Sequence, residues 1–175
     1  KDVIDAYSDS GKVEDLVEKA PLAEGVLGMV VKHHPPPHVA QKYRIPKIWK
    51  GDLESDTGKA LLACDDNGPT IMMCVNMTID PAAGPVAIGR LFSGTIKDGQ
   101  TINIIDTKRE GRVQSVNFFM SNVREQVGEL GAGNIPALLG LTDVRAGQTI
   151  STVKDIPVFE ASKYVSEPVV QMAIE

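Results

Sequence analysis

The chain has 175 residues, which suits one medium-sized domain with additional segments. Its hydrophobic content of 42% is ordinary for a globular protein, and 16 glycines with 11 prolines favour short strands joined by turns over a helical bundle. The net charge of −5 argues against a general nucleic-acid binder, whose domains are usually basic, but it leaves room for a small local contact.

The cysteine content and the lack of targeting segments bear on the cellular compartment. Cys64 and Cys74 are the only cysteines, and the sequence has neither a signal peptide nor a long apolar run. Such a chain fits a reducing compartment, so we expect a cytoplasmic protein with no membrane partner. Because the chain opens on Lys1 rather than on methionine, we also expect it to be a piece of a longer protein.

The first third of the chain reads as helical. Short surface helices are expected in residues 1–20, and Pro21 suits the start of a longer helix. Apolar residues and one histidine then recur at helical spacing: Leu22, Val26, Met29, Val30 and His33. Gly25 and Gly28 each weaken this helix by about 1 kcal/mol relative to alanine, so we expect it to depend on packing against a neighbour outside the chain. Prolines at 35–37 end it, and short helices are expected at 41–49 and 58–64.

From residue 70 onward the sequence changes to short β-rich runs separated by turn residues. Strands are predicted over residues 71–79, 84–96, 102–105, 112–120, 123–127, 135–141 and 149–150. About eighty residues arranged as an open sandwich would expose strand edges, which favours closure. The fold is therefore predicted to be mainly β, a small closed β-barrel of six or seven strands preceded by a helical N-terminal segment.

The centre of this region, residues 84–105, is predicted to be one hairpin. Asp98-Gly99 lies between two alternating apolar runs, and Asp-Gly in that position is a strong hairpin signal. One parity carries Val86, Ile88, Phe92 and Ile96, and it would form the buried face. Arg90 has the same parity and interrupts this face. Either a β-bulge at Gly89 redirects it, or the charge is kept for a function.

Two motifs resemble functional sites, but each lacks residues that the site would need. Thr57-Gly58-Lys59-Ala60 resembles the end of a phosphate-binding loop, yet that motif needs glycine at position 53 and Ser or Thr at position 60, where the chain has Leu53 and Ala60. Three histidines occur at positions 33, 34 and 38, but no acidic or cysteine partner has ligand spacing. His33 reads instead as a packed core residue. We therefore expect no nucleotide, metal or catalytic site in this chain.

Basic residues in the β region offer a binding hypothesis. Between residues 84 and 150 seven Lys and Arg oppose six Asp and Glu, a local balance of +1. Four of them cluster at two turns: Lys97, Lys108, Arg109 and Arg112. They are either solvated loop tips or a small contact with a phosphate backbone. Base stacking is not expected there, since no aromatic residues are interleaved with them.

Three groups of motifs together resemble one family. They are Met29–Pro35 (MVVKHHP) with Ala40–Ile45 (AQKYRI), Gly89–Thr95 (GRLFSGT) with Gly99, and Ala132–Ile135 (AGNI) with Ala146–Thr149 (AGQT). The set resembles the elongation factor 2 family of translational GTPases in its archaeal form, and the resemblance covers nearly the whole chain. Residues 166–170 and 173–175 resemble the start of that family's third domain. Gly28 departs from the pattern, which has an acidic residue there.

The resemblance implies a role for each part of the chain. Residues 1–50 would be the tail of the GTP-binding domain and its linker, residues 65–153 a β-barrel second domain, and residues 154–175 a linker with the first strand of a third domain. The family drives translocation of tRNA and mRNA on the ribosome, using GTP and magnesium bound upstream of Lys1. The fragment itself would hold no cofactor and would have no activity alone.

The resemblance also implies partners and candidate contacts. The expected partners are RNA of the small ribosomal subunit, the protein's own GTPase domain and its third domain. Arg90 is the first candidate for the RNA or interdomain contact, with Lys97, Lys108, Arg109 and Arg112 as weaker candidates. The alternative is a free-standing β-barrel that binds RNA or another protein, and the sequence upstream of Lys1 would distinguish the two.

Overall fold

The computed structural model describes residues 8, 21–81, 83–120 and 123–160. The predicted short helices of residues 1–20, Ser8 aside, and the predicted start of a further domain at 166–175 lie outside these residues. Contacts divide the chain into two compact units, residues 1–39 and residues 40–175. No helix in the described ranges is long and apolar enough to cross a membrane.

The first unit contains helix α1 (Leu22–His33), which follows Pro21 as predicted. The helix has Glu24 in its first turn and Lys32 in its last, which suits the helix dipole at both ends. None of its residues is buried. The expectation that His33 is a packed core residue is therefore wrong, because its side chain is exposed. The dependence of α1 on a partner stays a prediction.

Two further helices precede the strands. Helix α2 (Pro37–Ile48) is longer than expected: the third proline of the proline run takes its first position, where a missing N–H costs nothing. Helix α3 (Asp56–Ala63) is capped by Ser55, whose hydroxyl accepts a hydrogen bond from the Gly58 N–H at 3.1 Å. It ends at Cys64, a non-glycine residue in the left-handed region with φ of 56°.

The rest of the second unit is β structure. The strands are β1 (Ile71–Asp80), β2 (Gly84–Ser93), β3 (Ile96–Lys97), β4 (Thr101–Ile104), β5 (Arg109–Arg112), β6 (Ser115–Met120), β7 (Val123–Gln126), β8 (Glu129–Leu130), β9 (Ala137–Leu139) and β10 (Thr149–Ser151). Eight of them form one antiparallel sheet in the order β5-β4-β10-β1-β2-β9-β6-β7, and β3 pairs with β8.

The two sheets enclose one apolar core, which we call the barrel core. Its members come from strands of both sheets, and they include Met72, Leu91, Ile96, Ile102, Leu138 and Ile150. Backbone hydrogen bonds join the sheets next to β8, where the Val127 and Gly128 N–H groups both donate to the Val116 carbonyl of β6, at 3.0 and 3.4 Å. The mainly β class with a helical N-terminal segment is confirmed. The strands number ten in the described chain because the predicted runs 84–96 and 112–120 are each broken in two and the short strand β8 was not predicted.

The predicted hairpin of residues 84–105 is wrong in its pairing. A turn does form at Asp98-Gly99, with Gly99 at φ of 75° and the Gln100 N–H donating to the Lys97 carbonyl at 3.2 Å. The strands on either side nevertheless separate: β2 pairs with β1 and β9, whereas β4 pairs with β5 and β10. Gly94 at φ of 77° turns the chain out of β2 before the predicted hairpin can close.

Strand β2 is apolar on both faces, which changes the interpretation of Arg90. Ala87 and Leu91 point into the barrel core, whereas Val86 and Phe92 belong to apolar clusters on the outer face. Arg90 has the outer parity, so it interrupts no inner face. Gly89 is not itself an extra residue: Val75 is extra in β1, opposite the step from Ile88 to Gly89, and Phe92 is extra in β2.

One outer cluster attaches the helices to the sheet. The rings of Phe92 and Phe159 lie 4.7 Å apart, and Ile45 of α2 and Leu61 of α3 are completely buried beside them. Trp49 closes this cluster, with its indole N–H donating to the Pro157 carbonyl at 2.8 Å. Residues 40–63 and 156–159 therefore form one folded unit with the barrel.

Gly89 allows β1 and β2 to approach closely beside Arg90. A Cβ atom built at Gly89 would lie 2.2 Å from the carbonyl oxygen of Met73 and 2.9 Å from the Cα of Cys74. Because both atoms belong to the backbone, the clash cannot be relieved by a side-chain rotation.

We predict that Gly89→Ala lowers the free energy of unfolding by about 3 kcal/mol, at the upper end of overpacking costs. Gly25→Ala is the matched control, since nothing lies within 4 Å of its added Cβ. It should leave the barrel transition unchanged. Urea denaturation followed by Trp49 fluorescence measures both, and equal midpoints would contradict the account.

Candidate nucleic-acid interface

Arg90 lies half-buried on the outer face of β2, between β1 and the segment that leads into β9. On one side it is the register partner of Met73. On the other side the Leu91 N–H donates to the Asn134 carbonyl at 3.1 Å and the Gly89 N–H donates to the Pro136 carbonyl at 3.2 Å. These two bonds place Ile135 opposite Arg90.

A depression of about 440 Å³ opens beside this guanidinium. Its walls include Phe119 of β6, which is 39% exposed, and Ile135, which is 57% exposed. The β6–β9 register pairs Asn117 with Ala137, and extending it by two residues brings Phe119 opposite Ile135. Arg90, Ile135 and Phe119 therefore form one row across three neighbouring strands.

A second arginine acts on Arg90 from α2. Burial lowers the pKa of Arg90, the nearby Cys64 thiol acts in the opposite direction, and the positive charge of Arg44 lowers it further. An arginine side chain stays protonated under such a shift. In the part of the chain that the structure describes, neither Arg44 nor Arg90 forms an ion pair with a carboxylate.

Gln41 fixes the helix that carries Arg44. Its buried side-chain amide donates to the carbonyl of Leu61 at the end of α3 and to the carbonyl of Phe92 in β2, the latter at 2.9 Å. One side chain thus joins α2, α3 and β2. Arg44 lies one turn further along the same helix, so its position relative to Arg90 follows from this anchor.

Two of the other predicted contact residues are neutralised by surface ion pairs. The Lys97 ammonium lies 2.8 Å from the Glu129 carboxylate, and the Arg109 guanidinium lies 3.2 Å from that of Asp143. All four side chains are more than half exposed. Such pairs contribute little to stability, so they can exchange partners with an incoming anion at small cost.

The remaining two predicted residues lie at the two ends of β5, Lys108 immediately before it and Arg112 as its last residue. Lys108 is exposed and has φ of 55°, and Arg112 ends β5 with its Nε donating to the Gly99 carbonyl at 3.3 Å. In the sheet order β5 is separated from β2 by β4, β10 and β1. The structure therefore places Arg90 apart from the three basic residues on and beside β5, and Lys97 lies in β3 of the other sheet.

The glycine-lysine motif in α3 has a structural explanation. Gly58 lies in the first turn of the helix, and a Cβ atom there would lie 2.5 Å from the Asp52 carbonyl oxygen and 2.6 Å from the Leu53 Cα. Lys59 points toward Glu54 at 4.0 Å. Glycine is therefore needed at position 58 for packing of the α3 start.

Comparison with known proteins shows which sequences this chain resembles. Residues 84–151 match the sequence family described as elongation factor Tu domain 2. The whole chain is 79% identical to elongation factor 2 of Cenarchaeum symbiosum, of which it covers 24%. The resemblance to elongation factor 2 is confirmed.

Other archaeal relatives also match nearly the whole chain. The chain is 48% identical to elongation factor 2 of Archaeoglobus fulgidus over 94% of this chain, and 49% identical to that of Thermococcus kodakarensis over 100% of it. The chain spans about a quarter of the length of these curated relatives.

Sequence reasoning missed three residues that the structure places with Arg90. Arg44 lies within the Ala40–Ile45 run, which served only as a family signature. Phe119 was predicted only as a member of the strand over residues 112–120, and Ile135 was expected to be an ordinary strand residue. A parity count along residues 112–120 could have identified Phe119 as outward-facing, whereas its proximity to Arg90 depends on non-local strand pairing.

We predict that Gln41→Met lowers the free energy of unfolding by about 2 kcal/mol, because two buried carbonyls lose their donor. Gln41→Glu should be more destabilising at neutral pH, since a carboxylate would face the same two carbonyl oxygens. Denaturant titration measures both variants. Equal stability of wild type, Gln41→Met and Gln41→Glu would show that the amide does not anchor α2.

Proposed function

We propose that this chain is the central part of an elongation factor 2 that drives translocation of tRNA and mRNA on the ribosome. The observation that carries the proposal is the 79% identity to an archaeal elongation factor 2 over all 175 residues. The full-length protein would hydrolyse GTP with magnesium in the cytoplasm. This part would hold neither the nucleotide nor the catalytic residues.

The proposal assigns three roles along the chain. Residues 1–50 are the tail of the GTP-binding domain with its linker, residues 65–153 are the β-barrel second domain, and residues 154–175 lead into the third domain. The outer cluster around Phe92 and Phe159 supports a larger folded module, because α2, α3 and residues 156–159 pack on the barrel itself. The helices would then transmit movement of the GTPase domain directly to the barrel.

In this proposal the barrel docks on RNA of the small ribosomal subunit. Arg90 is the leading contact, since it is held by two strands and has no carboxylate partner among the described residues. Lys97, Lys108, Arg109 and Arg112 form a separate and weaker contact, because two of them already have partners. The net charge of +1 over residues 84–150 suits a contact with few phosphates.

The test uses the full-length protein and archaeal small ribosomal subunits. We predict that Arg90→Ala weakens co-sedimentation about tenfold at low salt, the loss expected for one hydrogen-bonded charge. A fluorescent GTP analogue should bind the full-length protein and give no signal with the 175-residue chain. The sequence upstream of Lys1 should contain a phosphate-binding loop.

Three results would contradict the proposal. They are micromolar binding of the GTP analogue to the 175-residue chain, an upstream sequence without a phosphate-binding loop, and a full-length wild-type protein that does not bind ribosomes. An upstream sequence that contains a phosphate-binding loop would also rule out the alternative of a free-standing β-barrel module.

A further inference from the structure

We propose that Trp49 fastens the chain that enters the barrel to the chain that leaves it, so that a displacement of α2 is passed directly to the third domain. Trp49 comes immediately after the last residue of α2. The residues that follow the last strand of the barrel, 153–160, are called the exit segment below. The inference rests on the proposed function and deepens it, because it names a residue that positions the third domain when the GTPase domain moves.

Trp49 is joined to the exit segment through both its backbone and its side chain. It forms an antiparallel bridge with Phe159, and the Glu160 N–H donates to the Ile48 carbonyl at 2.8 Å. The indole N–H of Trp49 donates to the Pro157 carbonyl, also at 2.8 Å. These two hydrogen bonds connect the end of α2 to a segment that lies 108 residues further along the chain.

The side chains at this junction are shielded from water. Trp49 is 3% exposed and Phe159 is 2% exposed, and both belong to the outer cluster. The backbone at Gly51 passes close over the indole, since a Cβ atom there would lie 2.3 Å from its six-membered ring. Breaking a shielded hydrogen bond leaves a donor and an acceptor without partners, which is costly. We therefore expect the junction to stay closed when α2 is displaced.

Helix α2 is anchored near both of its ends. The Gln41 amide attaches its first turns to α3 and β2, and Trp49 attaches its end to the exit segment. The exit segment is also bound to β10, because the Phe159 N–H donates to the buried Thr149 hydroxyl at 3.0 Å. Gln41, Trp49 and Phe159 all lie outside the barrel core. Movement of α2 can therefore reach the exit segment without rearranging that core.

The experiment measures two rates of the full-length protein on archaeal ribosomes, GTP hydrolysis and translocation. Trp49→Phe keeps an aromatic ring at the junction and loses the hydrogen bond to the Pro157 carbonyl. It should slow translocation about fivefold, the loss expected for one hydrogen bond, and leave GTP hydrolysis unchanged. A residue that only supports the fold would lower both rates together, because both depend on the amount of folded protein.

Two control variants separate the junction from general stability. Ile71→Val removes one buried methyl group from the same outer cluster and leaves both hydrogen bonds of the junction in place. Lys154→Gln removes the exposed ion pair between the exit segment and Glu110, and such pairs contribute little. Both variants should translocate at the wild-type rate. Equal slowing by Ile71→Val and Trp49→Phe would overturn the inference.

A disulfide tests whether the junction stays closed during the cycle. Extending the Trp49–Phe159 bridge by one residue places Lys50 opposite Val158, and both side chains are exposed. Residues opposite one another in an antiparallel pair are close enough for a disulfide. The oxidised double variant Lys50→Cys, Val158→Cys should translocate at the wild-type rate, and the same disulfide should restore translocation to Trp49→Phe. Loss of translocation on oxidation, regained on reduction, would overturn the inference.

The remaining outcomes distinguish the inference from the proposed function. Translocation at the wild-type rate by Trp49→Phe would overturn the inference while the proposed function stands. A parallel loss of GTP hydrolysis and translocation in that variant would also overturn it. Failure of the wild-type protein to hydrolyse GTP and to translocate on ribosomes would overturn both.

Discussion

The two hydrogen bonds of the Gln41 amide are the constraint on which the arrangement of this module depends. They connect α2 to the end of α3 and to the end of β2 at Phe92, in a place from which water is excluded. An apolar side chain could fill the same volume, but it would not fix the orientation of α2. The amide sets both the position and the rotation of α2, and with them the position of Arg44.

The same region explains how a barrel domain can respond to events elsewhere in a larger protein. Strand β2 contributes Leu91 to the barrel core and Phe92 to the outer cluster, so the two cores share adjacent residues of one strand. A displacement of α2 would therefore act on β2 through packed side chains rather than through a flexible linker. Arg90 lies immediately before these two residues and would move with them.

Local properties of the fold could be predicted from the sequence, whereas the pairing of strands could not. The turn at Asp98-Gly99 and the strand beginning at Ile71 follow from nearest-neighbour chemistry, and the structure contains both. The hairpin prediction was wrong because closing β2 onto β4 competes with pairing of β2 to β9, which lies more than forty residues away. Alternation does not say which partner a strand will find.

The same distinction between local properties and strand pairing applies to the candidate site. Arg90 could be selected from the sequence because a charge among apolar residues is conspicuous. The prediction that it interrupts the buried inner face was wrong, since Arg90 lies on the outer face, which is apolar because helices cover it. Arg44 and Phe119 could not be joined to it, since their proximity depends on the α2 anchor and on the β2–β9–β6 register. Phe119, 29 positions from Arg90 in the sequence, lines the same depression only in the folded chain.

The central claim is the proposal that Arg90 on the outer face of β2 contacts RNA of the small ribosomal subunit, and the structure of the full-length protein on the ribosome tests it most directly. Electron cryomicroscopy of that complex, stalled with a non-hydrolysable GTP analogue, should show an RNA phosphate within hydrogen-bond distance of Arg90. A complex in which this face is exposed to solvent, or is covered by protein, would contradict the account.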